Sequence, residues 1–319
     1  MKVVVAIGGN ALVEPGGRGD ITEQFARSRI VAKTLAELVI QGWQVTVTHG
    51  NGPQVGSIMR RVEISSGEVY PIDLGLAVAD TQAGMGYMIC QTWRNELHNR
   101  GVDRDAVAIV TPVIVDAGDP AFLNPTKPIG PFLTEAQAKQ HAQRDGWKII
   151  EDSGRGWRRI VPSPRPRSIE PMALIRTLVN SGELVVAGGG GGIPIIVNEK
   201  GEHHGVEAVI DKDFTSAIIA AEVGADALVL VTGVEHVFIN FGKPNQEALL
   251  NIAIPEIERH VAENQFPPGS MLPKIQAAVQ FLKGRNSPDA KAVIVDLDNV
   301  AGALAGKTGT TITLSAQRQ

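Results

Sequence analysis

Val3-Val-Val-Ala-Ile-Gly-Gly-Asn10 is the stretch that decides the fold of this 319-residue chain. Its apolar half lacks polar alternation, which predicts a strand buried on both faces, as in a parallel sheet. The two glycines remove side chains where the strand ends, so backbone N–H groups can approach an anionic ligand closely. Open α/β sheets bind ligands at the carboxyl ends of such strands. The alternative is a tight strand-to-helix turn without a ligand.

The same plan occurs twice more in the chain. Apolar runs lead into glycines at Val45-Thr-Val-Thr-His-Gly-Asn-Gly-Pro53 and at Leu184-Val-Val-Ala-Gly-Gly-Gly-Gly-Gly-Ile-Pro194. Ordinary turns after a strand accept many residue types. Three glycine-rich turns therefore favour three strands of one sheet that end around a shared phosphate site.

The composition is that of an ordinary globular protein. Hydrophobic residues make up 43% and charged residues 20%, and the length suits about two domains or one large α/β domain with an insertion. The net charge of −4 disfavours nucleic acid and anionic membranes as partners. The single cysteine, Cys90, excludes an intrachain disulfide and a cysteine metal cluster. No apolar stretch approaches the ~18 residues that span a bilayer, and the first strand leaves no room for a signal peptide, so we expect a cytoplasmic protein.

Strands and helices alternate along most of the chain, which indicates a layered α/β fold with a parallel sheet. Strands are predicted at residues 3–7, 43–48, 106–115 (broken by Pro112), 184–187, 206–210, 227–232, 291–297 and 310–314. Helices are predicted at residues 22–41, 53–66, 80–99, 215–223, 255–263 and 273–283.

Residues 116–167 differ in character from the rest. They contain seven prolines, a basic cluster at Arg155-Gly-Trp-Arg-Arg159, and the capping-box spacing of a helix start at Thr134 to Gln137. Residues 147–151 and 159–161 could pair as a hairpin. Loops of this length are usually functional lids or disordered, so we predict an inserted subdomain, called the insert below, that forms a flap over the sheet edge. The alternative is a proline-stiffened surface loop.

Three lysines occupy positions that suit an anionic ligand. Asp211-Lys-Asp213 and Gly269-Ser-Met-Leu-Pro-Lys274 each place a lysine at a predicted helix start, where a cation opposes the helix dipole unless an anion lies nearby. Lys127 lies between two prolines of the insert. A phosphoryl group in transfer carries charge on three oxygens, which fixed cations neutralise. The pattern predicts phosphoryl transfer without a nucleophilic side chain, whereas the alternative is that the aspartates simply cap a helix.

Other motifs are similar to those of other kinds of site, but their sequence contexts do not fit. Ala301-Gly-Ala-Leu-Ala-Gly-Lys-Thr308 is similar to a P-loop, but a predicted strand follows it where a P-loop requires a helix. Gly50-Asn-Gly52 with Gly56 is similar to a relaxed dinucleotide fingerprint, but it does not follow the first strand. His203 and His204 have no third ligand at a useful spacing, so we expect them to be exposed rather than bound to a metal.

These motifs together resemble those of the carbamate kinases, within the amino acid kinase family, in the same order over nearly the whole chain. The resemblance rests on Gly8-Gly-Asn-Ala-Leu12, His49-Gly-Asn-Gly-Pro-Gln-Val-Gly56, Lys127-Pro-Ile-Gly-Pro-Phe132, Gly154-Arg-Gly-Trp157, Gly188 to Pro194, Val209-Ile-Asp-Lys-Asp-Phe214 and Gly269-Ser-Met-Leu-Pro-Lys274.

The resemblance implies one domain over residues 1–319, a three-layer α/β/α sandwich around a mostly parallel open sheet of about eight strands. Residues 116–167 would form its protruding subdomain, and the protein would be a homodimer. The implied reaction is reversible phosphoryl transfer between MgATP and carbamate, giving ADP and carbamoyl phosphate. Its implied direction is ATP synthesis in arginine or purine breakdown.

The resemblance also implies roles for individual residues. Lys212 and Lys274 hold the nucleotide phosphates and the charge of the transferring phosphoryl group, and Asp213 orients these two lysines. Lys127 arrives from the protruding subdomain when it closes. Magnesium has no direct protein ligand, because nucleotide phosphates and waters hold it, with Asp211 able to assist through water. The carbamate and phosphoryl positions are Gly8, Gly9, Asn10, Gly50, Asn51 and Gly52; the nucleotide positions are Asp211, Lys212, Thr232, Gly233, Val234, Lys243, Met271 and Lys274.

One position separates this chain from many amino acid kinases. They carry a lysine two residues before the first glycine pair, where this chain has Ala6. Carbamate kinases also lack that lysine, and the resemblance implies that Lys127 takes its place. The remaining alternatives are a kinase for another carboxylate or carbamate-like acceptor, a non-catalytic nucleotide-binding regulator, and a nicotinamide oxidoreductase.

Overall fold

The computed structural model describes residues 1–8, 11–12, 17, 19–152, 154 and 156–315. The strands are β1 Lys2–Ile7, β2 Gln44–His49, β3 Ala106–Ala108, β4 Pro112–Val115, β5 Lys127–Leu133, β6 Lys148–Glu151, β7 Trp157–Val161, β8 Pro166–Ile169, β9 Leu184–Val186, β10 Ile193–Val197, β11 His203–Gly205, β12 Ala227–Thr232, β13 Val237–Ile239, β14 Glu247–Leu249, β15 Asn251–Ala253, β16 Lys291–Asp296 and β17 Thr310–Thr313. The helices are α1 Ile21–Ile40, α2 Gly52–Ile64, α3 Leu74–Asn99, α4 Glu135–Asp145, α5 Met172–Asn180, α6 Lys212–Glu222, α7 Ile254–Ala262, α8 Met271–Arg285 and α9 Val300–Leu304, with 3₁₀ turns at Pro120–Phe122 and Gly189–Gly191.

The main sheet is mostly parallel, as predicted. In the described part of the chain it has eight strands in the order β15-β17-β16-β12-β1-β2-β9-β3. The strands from β16 to β3 run in one direction, and β17 pairs antiparallel with β16. β1 lies near the centre of this order, between β12 and β2, which both pair with it in parallel.

Helices cover both faces of this sheet, which makes the predicted three-layer sandwich. Val3 and Val5 of β1 face a core that includes buried residues of α1, α3 and α9. Val4 and Ala6 face the opposite core, which includes α5, α6, α7 and α8. Burial on both faces explains why the β1 sequence has no polar alternation.

The predicted strand at residues 106–115 is wrong, because the chain forms two strands in two sheets. β3 pairs with β9 at the edge of the main sheet. β4 instead pairs with β10 in a second sheet, whose described strands follow the order β11-β10-β4-β8. The β3 ladder ends at Ala108, and β4 begins in the second sheet at Pro112, which has no backbone N–H to donate. At the other end of β4, Val115 pairs with Pro166 of the antiparallel β8.

The predictions for residues 206–210 and for the start of α3 also differ from the structure. No strand occupies residues 206–210. Val209 packs in a small core with Val55, Leu74 and Ile129, so this apolar run reflects the burial of an irregular segment. α3 begins at Leu74 rather than near residue 80, because the Asp73 side chain accepts a hydrogen bond from the Leu76 amide and caps the helix.

The insert carries a separate antiparallel sheet. Its described strands follow the order β5-β7-β6, and β6 and β7 form the predicted hairpin. Thr134 and Gln137 make both hydrogen bonds of the predicted capping box at the start of α4. The insert contacts α2 at Gly56, where an added Cβ would lie 2.0 Å from Gly130 Cα.

A polar cluster joins the insert to the other end of α2. Glu63 Oε1 accepts hydrogen bonds from Trp147 Nε1 at 2.8 Å and from Arg159 Nη1 at 3.2 Å, and Glu63 Oε2 accepts one from Arg60 at 3.1 Å. The His141 ring stacks on Trp147 with 4.4 Å between the ring centroids. Glu63, His141 and Asp145 hold potential metal-ligand atoms within 4.8 Å. Arginines already pair with both carboxylates, which favours a structural role for this cluster.

Two sequence expectations about other motifs are confirmed. The P-loop-like segment ends in a turn that leads into β17, so it lacks the helix that a P-loop requires. The imidazoles of His203 and His204 are 45% and 56% exposed. Among the described helices, none has the length and apolar character needed to cross a membrane.

Candidate active site

Three glycine-rich turns meet at one edge of the main sheet. β1, β2 and β9 are parallel neighbours, so their carboxyl ends lie together. The Gly50 amide donates to Ile7 O at 2.9 Å, which joins the first two turns. The prediction that three such strands share one sheet is confirmed. Gly9 and Asn10 lie outside the described residues.

The glycine run after β9 packs against the turn after β2 too closely for side chains. An added Cβ on Gly189 would lie 2.4 Å from His49 Nε2, and one on Gly190 would lie 2.3 Å from Asn51 Nδ2. Gly190 also has a φ of +67°, a conformation that favours glycine. Asn51 is buried and donates to Thr81 Oγ1 at 2.9 Å. The lack of room for a Cβ therefore requires glycine at both positions, and at Gly190 the backbone conformation requires it as well.

Buried polar side chains hold the glycine run in place, and the sequence analysis missed them. Gln82 of α3 donates to Gly189 O at 2.9 Å and accepts from the Thr111 amide at 2.7 Å. Thr215 of α6 donates to Gly191 O at 2.6 Å. Gln82 and Thr111 lie far from the run in sequence, and no local pattern marks them.

Lysines and aspartates form a cluster beside these turns. Lys274 Nζ donates to Asp213 Oδ2 at 2.9 Å, and Lys212 Nζ donates to Asp213 Oδ1. Lys127 Nζ donates to Asp211 Oδ2 at 2.6 Å. Asp211 caps α6, Lys212 begins it, and Lys274 lies in the first turn of α8. The structure thus brings Lys127 of the insert together with the two lysines that the helix-dipole argument selected. α6 begins at Lys212, not at residue 215.

Charge and burial act against each other in this cluster. Burial lowers the pKa of Lys212, attraction to Asp213 offsets part of that effect, and Lys274 lowers it further. Burial alone would also lower the pKa of Lys274, but Asp213 raises it above its ordinary value. Burial would raise the pKa of Asp213, yet the two lysines hold it below its usual range. Three lysines face two aspartates, so an anionic ligand would complete the charge balance.

The aspartates leave little room for a directly bound metal. Asp211 Oδ1 accepts from the Asp213 amide and Asp211 Oδ2 accepts from Lys127. Both oxygens of Asp213 accept from lysines. Within the described residues, this donor set fits a magnesium ion held by nucleotide phosphates and waters rather than by the protein.

The remaining predicted nucleotide residues surround this cluster unevenly. Thr232 ends β12 beside β1, and an added Cβ on Gly8 would lie 3.7 Å from Val231 O. Met271 is the first residue of α8 and is half-buried. Gly233 and the half-buried Val234 directly follow β12, whereas Lys243 lies in an exposed turn between β13 and β14. Thr232 therefore lies beside the strand that leads into the first glycine-rich turn, Met271 lies on the helix of Lys274, and Lys243 lies in the exposed turn of the β13–β14 hairpin.

Two further residues belong to the site and were not selected from the sequence. His49 is 1% exposed, and burial lowers its pKa to about 4, so its imidazole is neutral at physiological pH. Its Nδ1 lies 3.2 Å from Gly50 O. The Arg165 guanidinium carbon lies 3.4 Å from the centroid of the Phe214 ring, and Arg165 donates to Gln276 at 2.9 Å. Arg165 thereby links the end of the insert to α6 and α8.

Comparison with known proteins adds independent support. A profile of the amino acid kinase family matches residues 1–296. The carbamate kinase of Pyrococcus horikoshii is 45% identical over 316 residues, which cover 98% of this chain and 99% of that relative. Two structures of carbamate kinase from Giardia lamblia are similar, one bound to citric acid (TM-score 0.93) and one bound to AMP-PNP (TM-score 0.87). Each is 37% identical, with 98% of both chains covered.

Proposed function

Because this chain belongs to the amino acid kinase family, we propose that it transfers a phosphoryl group reversibly between MgATP and carbamate. The products are ADP and carbamoyl phosphate. The single observation that carries the proposal is the cluster of Lys127, Lys212 and Lys274 beside three glycine-rich turns. Relatives named carbamate kinase over nearly the full length of the chain support carbamate as the acceptor.

The chemistry follows from charge and position. Carbamate is an anion, so its own oxygen attacks phosphorus and no general base is needed. Lys212 and Lys274 neutralise the nucleotide phosphates and the phosphoryl group in transfer, while Asp213 holds one ammonium group on each of its carboxylate oxygens. Backbone amides of the glycine-rich turns bind phosphoryl oxygens. Catalysis is then positioning plus electrostatic stabilisation.

Magnesium is the proposed cofactor and binds with ATP or ADP. When bound, it neutralises charge on the nucleotide phosphates. Asp211 and Asp213 bind lysines, so the protein's part is to present ammonium groups to those phosphates.

We propose that the insert acts as a flap. Lys127 is the first residue of β5 in the insert, whereas the other two lysines lie on helices that pack against the main sheet. Movement of the insert away from α2 would remove one of the three cations. The contacts of Gly130 with Gly56 and of Trp147 with Glu63 support a docked state in which that cation stays in the site.

Resemblance to the family supports four further proposals. The enzyme works in the direction of ATP synthesis, during the breakdown of arginine or purines. It acts in the cytoplasm, where its nucleotide substrates are abundant, and its adenosine pocket includes Thr232, Gly233, Val234 and Met271, with Lys243 near its rim. It forms a homodimer, and a monomeric mass in sedimentation would contradict that assembly.

The test is ATP formation from ADP, magnesium and carbamoyl phosphate, followed by coupled luminescence. We expect strong formation by the wild type and a loss of about 100-fold or more in Lys274→Ala, since one oxyanion-stabilising group is worth that much. Lys283→Ala is the matched control, because this exposed lysine of the same helix pairs with Glu258 instead. Absence of formation while ADP still binds would indicate another acceptor or a regulatory role.

A further inference from the structure

We propose that Asp211 is a positioning residue that holds Lys127 in the active site, rather than a group that assists magnesium. This inference rests on the proposed phosphoryl transfer, in which Lys127 neutralises charge. It goes beyond that function because it assigns the flap lysine a tether on the body of the protein.

The two oxygens of Asp211 have separate tasks. Oδ1 accepts from the Asp213 amide at 3.0 Å and caps α6. Oδ2 accepts from Lys127 Nζ at 2.6 Å. The carboxyl side chain is 16% exposed, whereas the Lys127 side chain is 36% exposed. The short, mostly buried carboxylate of Asp211 therefore fixes the ammonium group of the long and more exposed Lys127 side chain.

Lys127 needs such a partner more than the other lysines do. Lys212 and Lys274 lie in the first turns of helices and share Asp213. Lys127 lies on the insert, and Asp211 is its ion-pair partner among the described residues. A lysine stem has many rotamers, so without a fixed anion its ammonium group would sample positions away from the phosphoryl site.

The tether also explains why Asp211 lies next to Lys212. Capping anchors Asp211 to the helix that carries Lys212 and Asp213. Asp211 thereby fixes Lys127 relative to the start of α6, where Lys212 also lies. Attraction to Lys127 and a hydrogen bond from it offset the rise in the pKa of Asp211 that burial would cause, which keeps this carboxyl group ionised as the tether requires.

A double-mutant cycle with Asp211→Asn and Lys127→Met tests the proposal. Asparagine keeps an oxygen that can cap α6 but loses the charge that holds Lys127. We expect Asp211→Asn to lower kcat by about 10-fold or more, with little change in the KM for ADP. In the Lys127→Met background the same change should have an effect of about 2-fold or less, because Asp211 acts through Lys127. Additive losses in the cycle would overturn the tether.

Two readouts separate this role from magnesium binding and from a folding defect. The magnesium concentration at half-maximal rate should stay within about 2-fold of the wild type, since coordination ligands change it strongly. Acetylation of Lys127, followed by mass spectrometry on the ligand-free protein, should rise several-fold in Asp211→Asn. Asp116→Asn, which removes a half-exposed carboxylate at the start of the insert, is the control and should leave Lys127 labelling unchanged.

The labelling experiment does not depend on turnover. If the wild type forms no ATP but Lys127 labelling rises in Asp211→Asn, the proposed reaction fails and the tether stands. If ATP forms but labelling is unchanged and the magnesium requirement rises, the reaction stands and Asp211 belongs to the metal.

Discussion

Gly56 of α2 and Gly130 of β5 lie backbone to backbone where the insert meets the body of the protein. An added Cβ on Gly56 would lie 2.0 Å from Gly130 Cα and 2.1 Å from Gly130 N. Non-bonded atoms do not approach that closely, and neither backbone can move without displacing α2 or β5. The docked position of the insert therefore depends on the absence of one methyl group.

Gly56→Ala should displace the insert and lower kcat/KM. Overpacking of this kind costs about 1–3 kcal/mol, which corresponds to about 5- to 150-fold in the docked population. Steady-state kinetics with ADP and carbamoyl phosphate measures the effect. Gly84→Ala is the matched control, because Gly84 is also in a helix and an added Cβ there meets nothing within 4 Å. Equal activity of both variants would show that docking at Gly130 is dispensable.

Glu63→Gln should loosen the far side of the same interface. The variant keeps an acceptor for Trp147 but loses its charge towards Arg60 and Arg159. If the free energy of docking of the insert falls by about 1–2 kcal/mol, the docked population changes by about 5- to 30-fold. Hydrogen exchange in β5 and β7 should become faster, while exchange in the main sheet stays unchanged. Glu135→Gln, which breaks the exposed pair with Lys139, should leave β5 and β7 as they are; faster exchange there in both variants would contradict the role of Glu63.

Gly190→Ala should lower kcat far more than Gly201→Ala does. The new Cβ would lie 2.3 Å from Asn51 Nδ2 and would push Asn51 out of the turn after β2. Displacement by about 1 Å near reacting groups can cost about 100-fold in rate. Gly201→Ala provides the comparison, since Gly201 has a φ of +81° and open space around it. Both variants carry the backbone strain, so a similar loss of kcat in Gly201→Ala would rule out the steric explanation.

His49 should make the folded state less stable in mild acid. Burial lowers its pKa from the ordinary 6.5 to about 4, so below pH 6.5 the unfolded chain takes up a proton that the folded chain does not. The neutral His49 imidazole therefore makes its full contribution to the free energy of unfolding above pH 6.5, and this contribution is lost as the pH falls towards 4. Between pH 7.5 and pH 5 the free energy of unfolding should fall by about 2 kcal/mol from this group.

Urea unfolding of the wild type and of His49→Gln at these two pH values measures the effect. The variant should lose this part of the pH dependence, whatever its absolute stability. His98→Gln, which changes an exposed histidine of α3, should keep the pH dependence of the wild type. If His49→Gln retains the full dependence, the buried imidazole is not its source.

The sequence predicted those features that are local in the chain. The β1 segment is apolar because both faces of a central parallel strand are buried, and that burial leaves a readable pattern. Lys212 and Lys274 were found because a lysine at a helix start conflicts with the helix dipole. Both arguments need only a few consecutive residues.

Features that depend on tertiary pairing were missed or wrong. Pro112 marks a break in the apolar run, but nothing near it indicates that the chain continues in a second sheet, because the new partner, β10, is distant in sequence. The run at residues 206–210 is apolar because it is buried, and burial alone does not specify a strand. Gln82 supports Gly189 across more than a hundred residues, and its own helix gives no sign of that contact.

The pairing of Val115 with Pro166 gives the insert a modular character. The chain leaves the body on one strand of a hairpin and returns on the other, so everything between these residues resembles a very long hairpin loop. Such a segment can lengthen, shorten or be exchanged between lineages without rerouting the rest of the chain. Lys127, a proposed catalytic charge, would change together with that segment, whereas Lys212 and Lys274 belong to the rest of the chain.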